Sequence, residues 1–285
     1  MSVRKAVLAG SWYPAGSSAC EQEIGRFLDE YDTGTLSSKN LIGGIVPHAG
    51  WYFSGSIACN VIQCLRQESP PDVFIVFGMH LHSGSSNYIM TQGAWETPFG
   101  PIQIETELAG ALVNRFHFNI ETPDDFSQDN TIEVQLPFIK YFFENAKIVP
   151  IGSPPVTASF EIGKTAVDMA RQLGLQIKVL GSTDLTHYGP NYGYTPQGTG
   201  AKAFEWVRDE NDHDVVEAML SMDPAKVLLE ARKHHNACCS GAAATAIATA
   251  NYLGADTAET MAYANSYDKN PEDSFVGYVG IVFNN

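Results

Sequence analysis

Five short apolar runs recur along the chain, and each ends abruptly in polar or glycine-rich residues. They are Leu41–Val46, Val73–Phe77, Lys147–Ile151, Ile177–Leu180 and Val276–Val282. All are rich in Ile and Val and nearly continuous in apolarity, the pattern of strands buried on both faces. Between them lie stretches with apolar residues at helical spacing: 17–31, 54–66, 107–116, 159–173, 202–219 and 224–234. The segment 241–253, GAAATAIATANYL, is alanine-rich and suits a closely packed, buried helix. Strands that alternate with helices predict an α/β/α architecture around a central, mostly parallel sheet. No repeat, linker or low-complexity stretch divides the chain, so residues 1–285 are expected to form one domain.

In such a sheet, ligands bind beyond the carboxyl ends of the strands, so residues that follow an apolar run matter most. His48 follows the first run in IVPHAGWYFSG (45–55), and His80 and His82 follow the second in FIVFGMHLHSG (74–84). Asp184 and His187 follow another in VLGSTDLTHYG (179–189). Cys238 and Cys239 stand at the head of the alanine-rich helix, where backbone N–H groups favour a thiolate. Taken singly, each has a plainer role: a hydrogen-bonded loop histidine, a helix-capping aspartate, a small buried cysteine. Their recurrence at exits that share one sheet edge is what suggests a metal or catalytic pocket. The glycine- and proline-rich stretch 189–200 would rim it, and Trp51, Tyr52, Tyr188, Tyr192 and Tyr194 are either its walls or surface aromatics.

Composition narrows the function. With 17 basic against 32 acidic side chains the formal charge is −15, which repels phosphate backbones and anionic lipid. Nucleic-acid and membrane-surface roles are therefore not expected. No run approaches the about 18 apolar residues of a membrane span, and the opening MSVRKAVLAGSWYPAG lacks the long apolar core of a signal peptide. An odd number of cysteines with no spaced framework fits a reduced, cytoplasmic setting. The sequence contains no H-E-x-x-H, C-x-x-C, P-loop or G-x-S-x-G motif and no post-strand G-x-G-x-x-G, which argues against zincin, nucleotide and serine-triad chemistry.

Six blocks carry a family resemblance: AGSWYPAG (9–16), IVPHAGWYFSG (45–55), GAWETPFG (93–100), TIEVQLPF (131–138), STDLTHYG (182–189) and NACCSGAA (236–243). Together they resemble the Memo family, whose fold is similar to that of class III extradiol ring-cleaving dioxygenases. The resemblance implies a metal site of two histidines and a cysteine: His48, Cys239 and a histidine of segment 80–82. It further implies that His187 stands where the dioxygenases place an acid/base histidine, with Asp184 beside it. The family commonly reads G-P-[NS]-H after the second strand, whereas this chain reads Gly78-Met79-His80-Leu81-His82. A gapless count puts Leu81 at the ligand position, while a one-residue gap brings in His80, with His82 close behind. Where the family commonly has a pocket histidine, this chain has Asn130, which cannot act as an acid or base.

Imidazoles and a thiolate form a donor set of intermediate softness, suited to Fe(II) first and to Cu or Zn as alternatives. The expected function is a metal-dependent, dioxygenase-like oxidoreductase acting on a small, aromatic substrate. Two alternatives stay open. One is a non-catalytic metal- or peptide-binding regulator, in line with family links to receptor signalling and metal handling, although no arginine cluster suggests phosphopeptide binding. The other is a hydrolase that uses Cys239 as nucleophile with His187.

Overall fold

The computed structural model describes residues 2–31, 40–66 and 69–285. Its main sheet has nine strands: β1 (Leu41–Val46), β2 (Val73–Gly78), β3 (Asn87–Met90), β4 (Phe118–Glu121), β5 (Lys147–Gly152), β6 (Ile177–Ser182), β7 (His187–Tyr188), β8 (Thr257–Asn265) and β9 (Phe275–Asn284). The order is β7-β9-β1-β6-β2-β5-β3-β4, with β8 also on β9. The centre, β1-β6-β2-β5, is parallel. Antiparallel pairing at β9/β1 and β3/β5 then extends it on both sides. Every residue of β1 and β2 is buried, as their unbroken apolarity requires.

Helices cover both faces. On one side α1 (Ser17–Leu28) packs on α2 (Ser56–Cys64), which lies against β1 and β9. On the other, α3 (Ser159–Leu173) packs on α4 (Ser240–Leu253), which lies against β6, β1 and β2. Two strand glycines explain how closely these layers approach. A Cβ on Gly181 would come within 2.7 Å of Ala246 Cβ and 3.0 Å of the Ala242 carbonyl, so α4 rests flush on β6. One on Gly44 would meet Val61 of α2 at 2.9 Å from the opposite face. The small side chains of α4 are thus the counterpart of a glycine in the strand beneath them.

Helices α3 and Pro224–His234 begin and end where the sequence places them. The second has proline in its first turn, with the Asp223 side chain capping the N–H groups of Ala225 and Lys226. The stretch expected as one helix over 202–219 is three segments, Ala201–Trp206, a wide π-type turn Val207–Asn211, and Asp212–Leu220. Likewise the helix expected from Ser54 opens with a π-type turn, Trp51–Gly55. The helix expected over 17–31 ends at Leu28. Among the described residues no helix is long and apolar enough to cross a membrane.

A smaller sheet of Val3–Arg4, Ala94–Trp95 and Ile102–Gln103 ties the N-terminus to the rest. Fully buried Arg4 lies between the rings of Trp95 and Phe126 and pairs with Glu121 at 2.6 Å. It also donates to the Ser127 carbonyl, 2.8 Å away, and so braces the segment leading to Asn130.

Candidate functional site

The carboxyl ends of β1, β6 and β2 finish level, with Val46 beside Ser182 and Gly181 beside Phe77. Two residues past each end stand His48, Asp184 and His80. His187 opens β7 on the neighbouring β9, and the head of α4 brings Cys238 and Cys239 to the same edge. His80 is turned into place by Met79, a non-glycine residue with φ +70°. Such backbone costs about 1–3 kcal/mol and is held here by a hydrogen bond from Met79 N to Thr131 Oγ1 (2.7 Å).

The donor atoms of His48, His80, Cys238 and Cys239 all lie within 4.8 Å of one another. His48 Nε2 is 3.3 Å from Cys238 Sγ, His80 Nδ1 is 3.3 Å from Cys239 Sγ, and the two sulfurs are 3.9 Å apart. Ligand atoms at metal-bond distance around one tetrahedral ion lie about 3.3–3.8 Å apart. Two imidazoles and two sulfurs at this spacing therefore fit a borderline-soft transition metal, and not Mg or Ca.

Neighbouring hydrogen bonds set which ring nitrogen faces the cluster. Ser182 Oγ donates to the Thr131 carbonyl (2.7 Å), so toward His48 Nδ1, 3.0 Å away, it accepts. In its neutral, metal-binding form His48 then carries its proton on Nδ1 and points the Nε2 lone pair at the sulfurs. Asn130 Nδ2 donates to the His48 carbonyl (3.0 Å), leaving its Oδ1 to accept from His80 Nε2 at 3.2 Å. His80 Nδ1 thus keeps its lone pair toward Cys239. Asn130, which cannot transfer protons, orients both histidine segments.

Charge is shared unevenly. Burial opposes ionisation of Cys238, but the hydrogen bond from Cys239 and the charge of His48, with His187 close by, hold its thiol well below the usual range. Burial and the neighbouring Cys238 push Cys239 well up. Burial works against a charge on His48, yet Asp184 and Cys238 outweigh it and lift it to about 9. Asp184 is 3% exposed; burial raises its carboxyl while His48 draws it back. It accepts from the His48 backbone N–H at 2.6 Å, and its Oδ2 is 3.8 Å from His48 Nε2 and 4.0 Å from His187 Nε2. His187 Nε2 is buried and has no hydrogen-bond partner among the described residues. Its ring packs edge-on to Tyr192, with centroids 5.0 Å apart.

His48, His80, Asp184 and His187 line one cavity of about 570 Å³, with Asn130 beside them and Trp12, Tyr52, Phe53 and Tyr192 around it. Of the aromatics singled out in the sequence, Tyr52 and Tyr192 reach this cavity. Trp51 is instead buried against Phe138 (centroids 4.1 Å apart, nearly parallel), and Tyr188 stacks on Phe275. Loop 189–200 does contribute to the rim through Asn191 and Tyr192, and the Tyr188 hydroxyl pins it by donating to the Gly198 carbonyl.

The structure brings His48, His80, Cys239, Asp184 and His187 together. His82 stays outside: it is exposed, and its Nδ1 accepts from Gly84 N at 3.0 Å in a local turn. Leu81 is not a lining residue of the cavity. Cys238 joins as a fourth donor beside Cys239. The adjacent Cys-Cys pair was the signal for it, but neighbouring side chains usually diverge. The conformation of Cys239 (φ −123°, ψ 51°), neither helical nor regular strand, lets both sulfurs reach the cluster. Ser182 carries no sequence signal for its role; the family resemblance marked the position of Asn130 but not its orienting role, and both roles arise from tertiary contacts.

Comparison with known proteins identifies relatives of the chain. The family model described as Memo-like protein matches residues 4–282. A MEMO1 family protein of Thermococcus onnurineus is 33% identical over 292 residues, covering 99% of both chains. One of Pyrococcus furiosus is 33% identical, covering 98% of each. Among solved structures, an uncharacterized Escherichia coli K12 protein aligns with 79% of this chain and 90% of its own, at a TM-score of 0.45 and 11% identity. With its matched sequence spanning nearly its whole length, the chain belongs to the Memo family.

Proposed function

We propose that the pocket is the centre of a metal-dependent, dioxygenase-like oxidoreductase acting on a small aromatic diol or enol, with Fe(II) as the resident metal and Cu or Zn as alternatives. The observation that carries this reading is a group of four soft or borderline donors within 4.8 Å of one another, two of which, His48 and His80, line a cavity of about 570 Å³. A bound Fe(II) would supply Lewis acidity and an electron source toward oxygen. His48 and His80, with Cys239 and Cys238, would hold it, their rings oriented by Ser182 and Asn130. Trp12, Tyr52, Phe53 and Tyr192 would sandwich a planar ring and displace water from it.

His187, which lines the cavity, would take the proton of a substrate hydroxyl. Asp184, with an oxygen 4.0 Å away, would stabilise the imidazolium so formed. The test is anaerobic reconstitution with Fe(II), then oxygen uptake in the presence of catechol. Oxygen consumption with a ring-opened product, lost in His187→Ala while metal stays bound, supports the assignment. Tight metal binding with no turnover of any diol would instead make this a metal-binding regulator.

One observation favours a second reading. Cys238, placed between His48 and His187, is the thiol whose surroundings favour the thiolate, so a cysteine-nucleophile hydrolase would use Cys238 rather than Cys239. Rapid alkylation of Cys238 in metal-free protein, unchanged by added metal, would support it. Protection by metal would support the ligand role.

A further inference from the structure

Cys238 does not line the main cavity. A second cavity of about 600 Å³, bounded by Leu185, His187, Tyr192, Tyr194 and Ala231, reaches Cys238 but neither His48 nor His80. Cys239 is 2% exposed and lies behind it, with its sulfur 3.9 Å from that of Cys238. A small solute can thus reach Cys238 without crossing the proposed substrate pocket. The other three cysteines, Cys20, Cys59 and Cys64, are buried elsewhere in the core.

We infer that Cys238 and Cys239 form a reversible vicinal disulfide under peroxide, and that its closure dismantles the metal centre. Cys238 Sγ attacks one peroxide oxygen, the O–O bond breaks, and a sulfenic acid forms as water leaves. Cys239 Sγ then attacks the sulfenic sulfur, the S–S bond forms, and a second water carries off the remaining oxygen with the thiol protons. Two electrons pass from the two sulfurs to the peroxide. Both backbones are already anchored, Cys238 N to the Asp184 carbonyl (3.2 Å) and Cys239 N to Thr183 Oγ1 (3.1 Å), so closure falls to side-chain rotation and a local peptide twist.

Adjacent Cα atoms are about 3.8 Å apart, below the usual span of a disulfide, so the bond is strained and readily reduced by thiols. Closing it from 3.9 Å to bond length draws the sulfurs toward each other and off His48 and His80, leaving two imidazoles as donors. Only this consequence rests on the metal-centre reading; the thiol chemistry is separate and is measured on metal-free protein.

The experiment treats the full chain, first metal-free and then loaded with Zn(II) as probe, with near-stoichiometric hydrogen peroxide. The expected result is a 2-Da mass loss, a peptide linked between Cys238 and Cys239, reversal by dithiothreitol, and Zn(II) release in step with oxidation. In Cys239→Ala the sulfenic acid persists on Cys238 and is trapped by dimedone. Wild-type protein that gains oxygen atoms at Cys238 without losing two protons, or that links between chains, overturns the inference even if the variant fails to fold. Disulfide formation in protein that never binds Zn(II) would leave the thiol chemistry standing and refute the metal-release step.

Discussion

Replacing Ser182 by alanine removes one oxygen that no ligand would touch, yet it should weaken metal binding. The Ser182 hydroxyl is fully buried and makes two hydrogen bonds, donating to Thr131 O at 2.7 Å and accepting from His48 Nδ1 at 3.0 Å. Without it, His48, itself 1% exposed, has no acceptor for its Nδ1 proton in that direction. The ring can then lower its energy by carrying the proton on Nε2, where it blocks the lone pair aimed at the sulfurs. Loss of such an outer partner typically weakens metal affinity by about 10–100-fold, or about 1.4–2.8 kcal/mol. The exposed need of the Thr131 carbonyl adds about 1–3 kcal/mol of lost stability. Competition titration of Zn(II) against a chelating dye measures the first effect, and thermal unfolding of metal-free protein the second. If Ser182→Ala lowers the unfolding temperature but leaves affinity within about twofold of wild type, a range well short of the expected loss, His48 is not oriented through Ser182 and the tautomer argument fails.

Three further outcomes are expected. His82→Ala should leave metal affinity unchanged in the same titration while His80→Ala abolishes it, because His82 caps a turn outside the cluster. Gly181→Ala should destabilise by about 1–3 kcal/mol, lowering Tm by roughly 2–4 °C for each, since its methyl would press on Ala246 and the Ala242 carbonyl; an unchanged melt would mean α4 does not rest on β6. Burial pushes the carboxyl of Asp212 up to about 6 against the hydrogen bonds it accepts from Thr186 N and Tyr263 Oη. Because the folded state holds that proton more tightly than the unfolded chain, the contribution is present below about pH 4 and lost as pH rises through 6. Urea unfolding should therefore show wild type losing about 2–3 kcal/mol relative to Asp212→Asn between pH 4 and 7; a pH-independent difference would refute the raised value.

Much of the scaffold was legible because it is built from unmixed signals. Strands such as Leu41–Val46 are buried on both faces and so apolar throughout, and Pro224 and Asp223 mark a helix start by local chemistry alone. The peripheral strands were not legible. Phe118–Glu121 is four residues of mixed polarity, and Thr257–Asn265 is half-exposed and, among the described residues, pairs only with β9. The π-type turn Val207–Asn211 keeps the apolar spacing of a helix, so periodicity cannot reveal it. Its buried Asn211, which donates to Thr186 Oγ1 and accepts from Asn236, is a tertiary feature. In the pocket, strand exits pointed to His48, His80 and Asp184 because sheet topology forces those ends together. The choice of His80 over His82 turned on one left-handed residue, Met79, that spacing does not encode. The parts played by Ser182 and Asn130 follow from partners 134 and 50 positions away, His48 and His80.

The most direct test of the metal-centre account is anaerobic calorimetric titration of Fe(II), Cu and Zn into metal-free wild type, His48→Ala and Cys239→Ser. The account predicts stoichiometric, saturable binding by wild type and loss of that site in both variants, with each variant still giving a cooperative melt. Absence of binding in wild type, or binding that survives both substitutions, would contradict it.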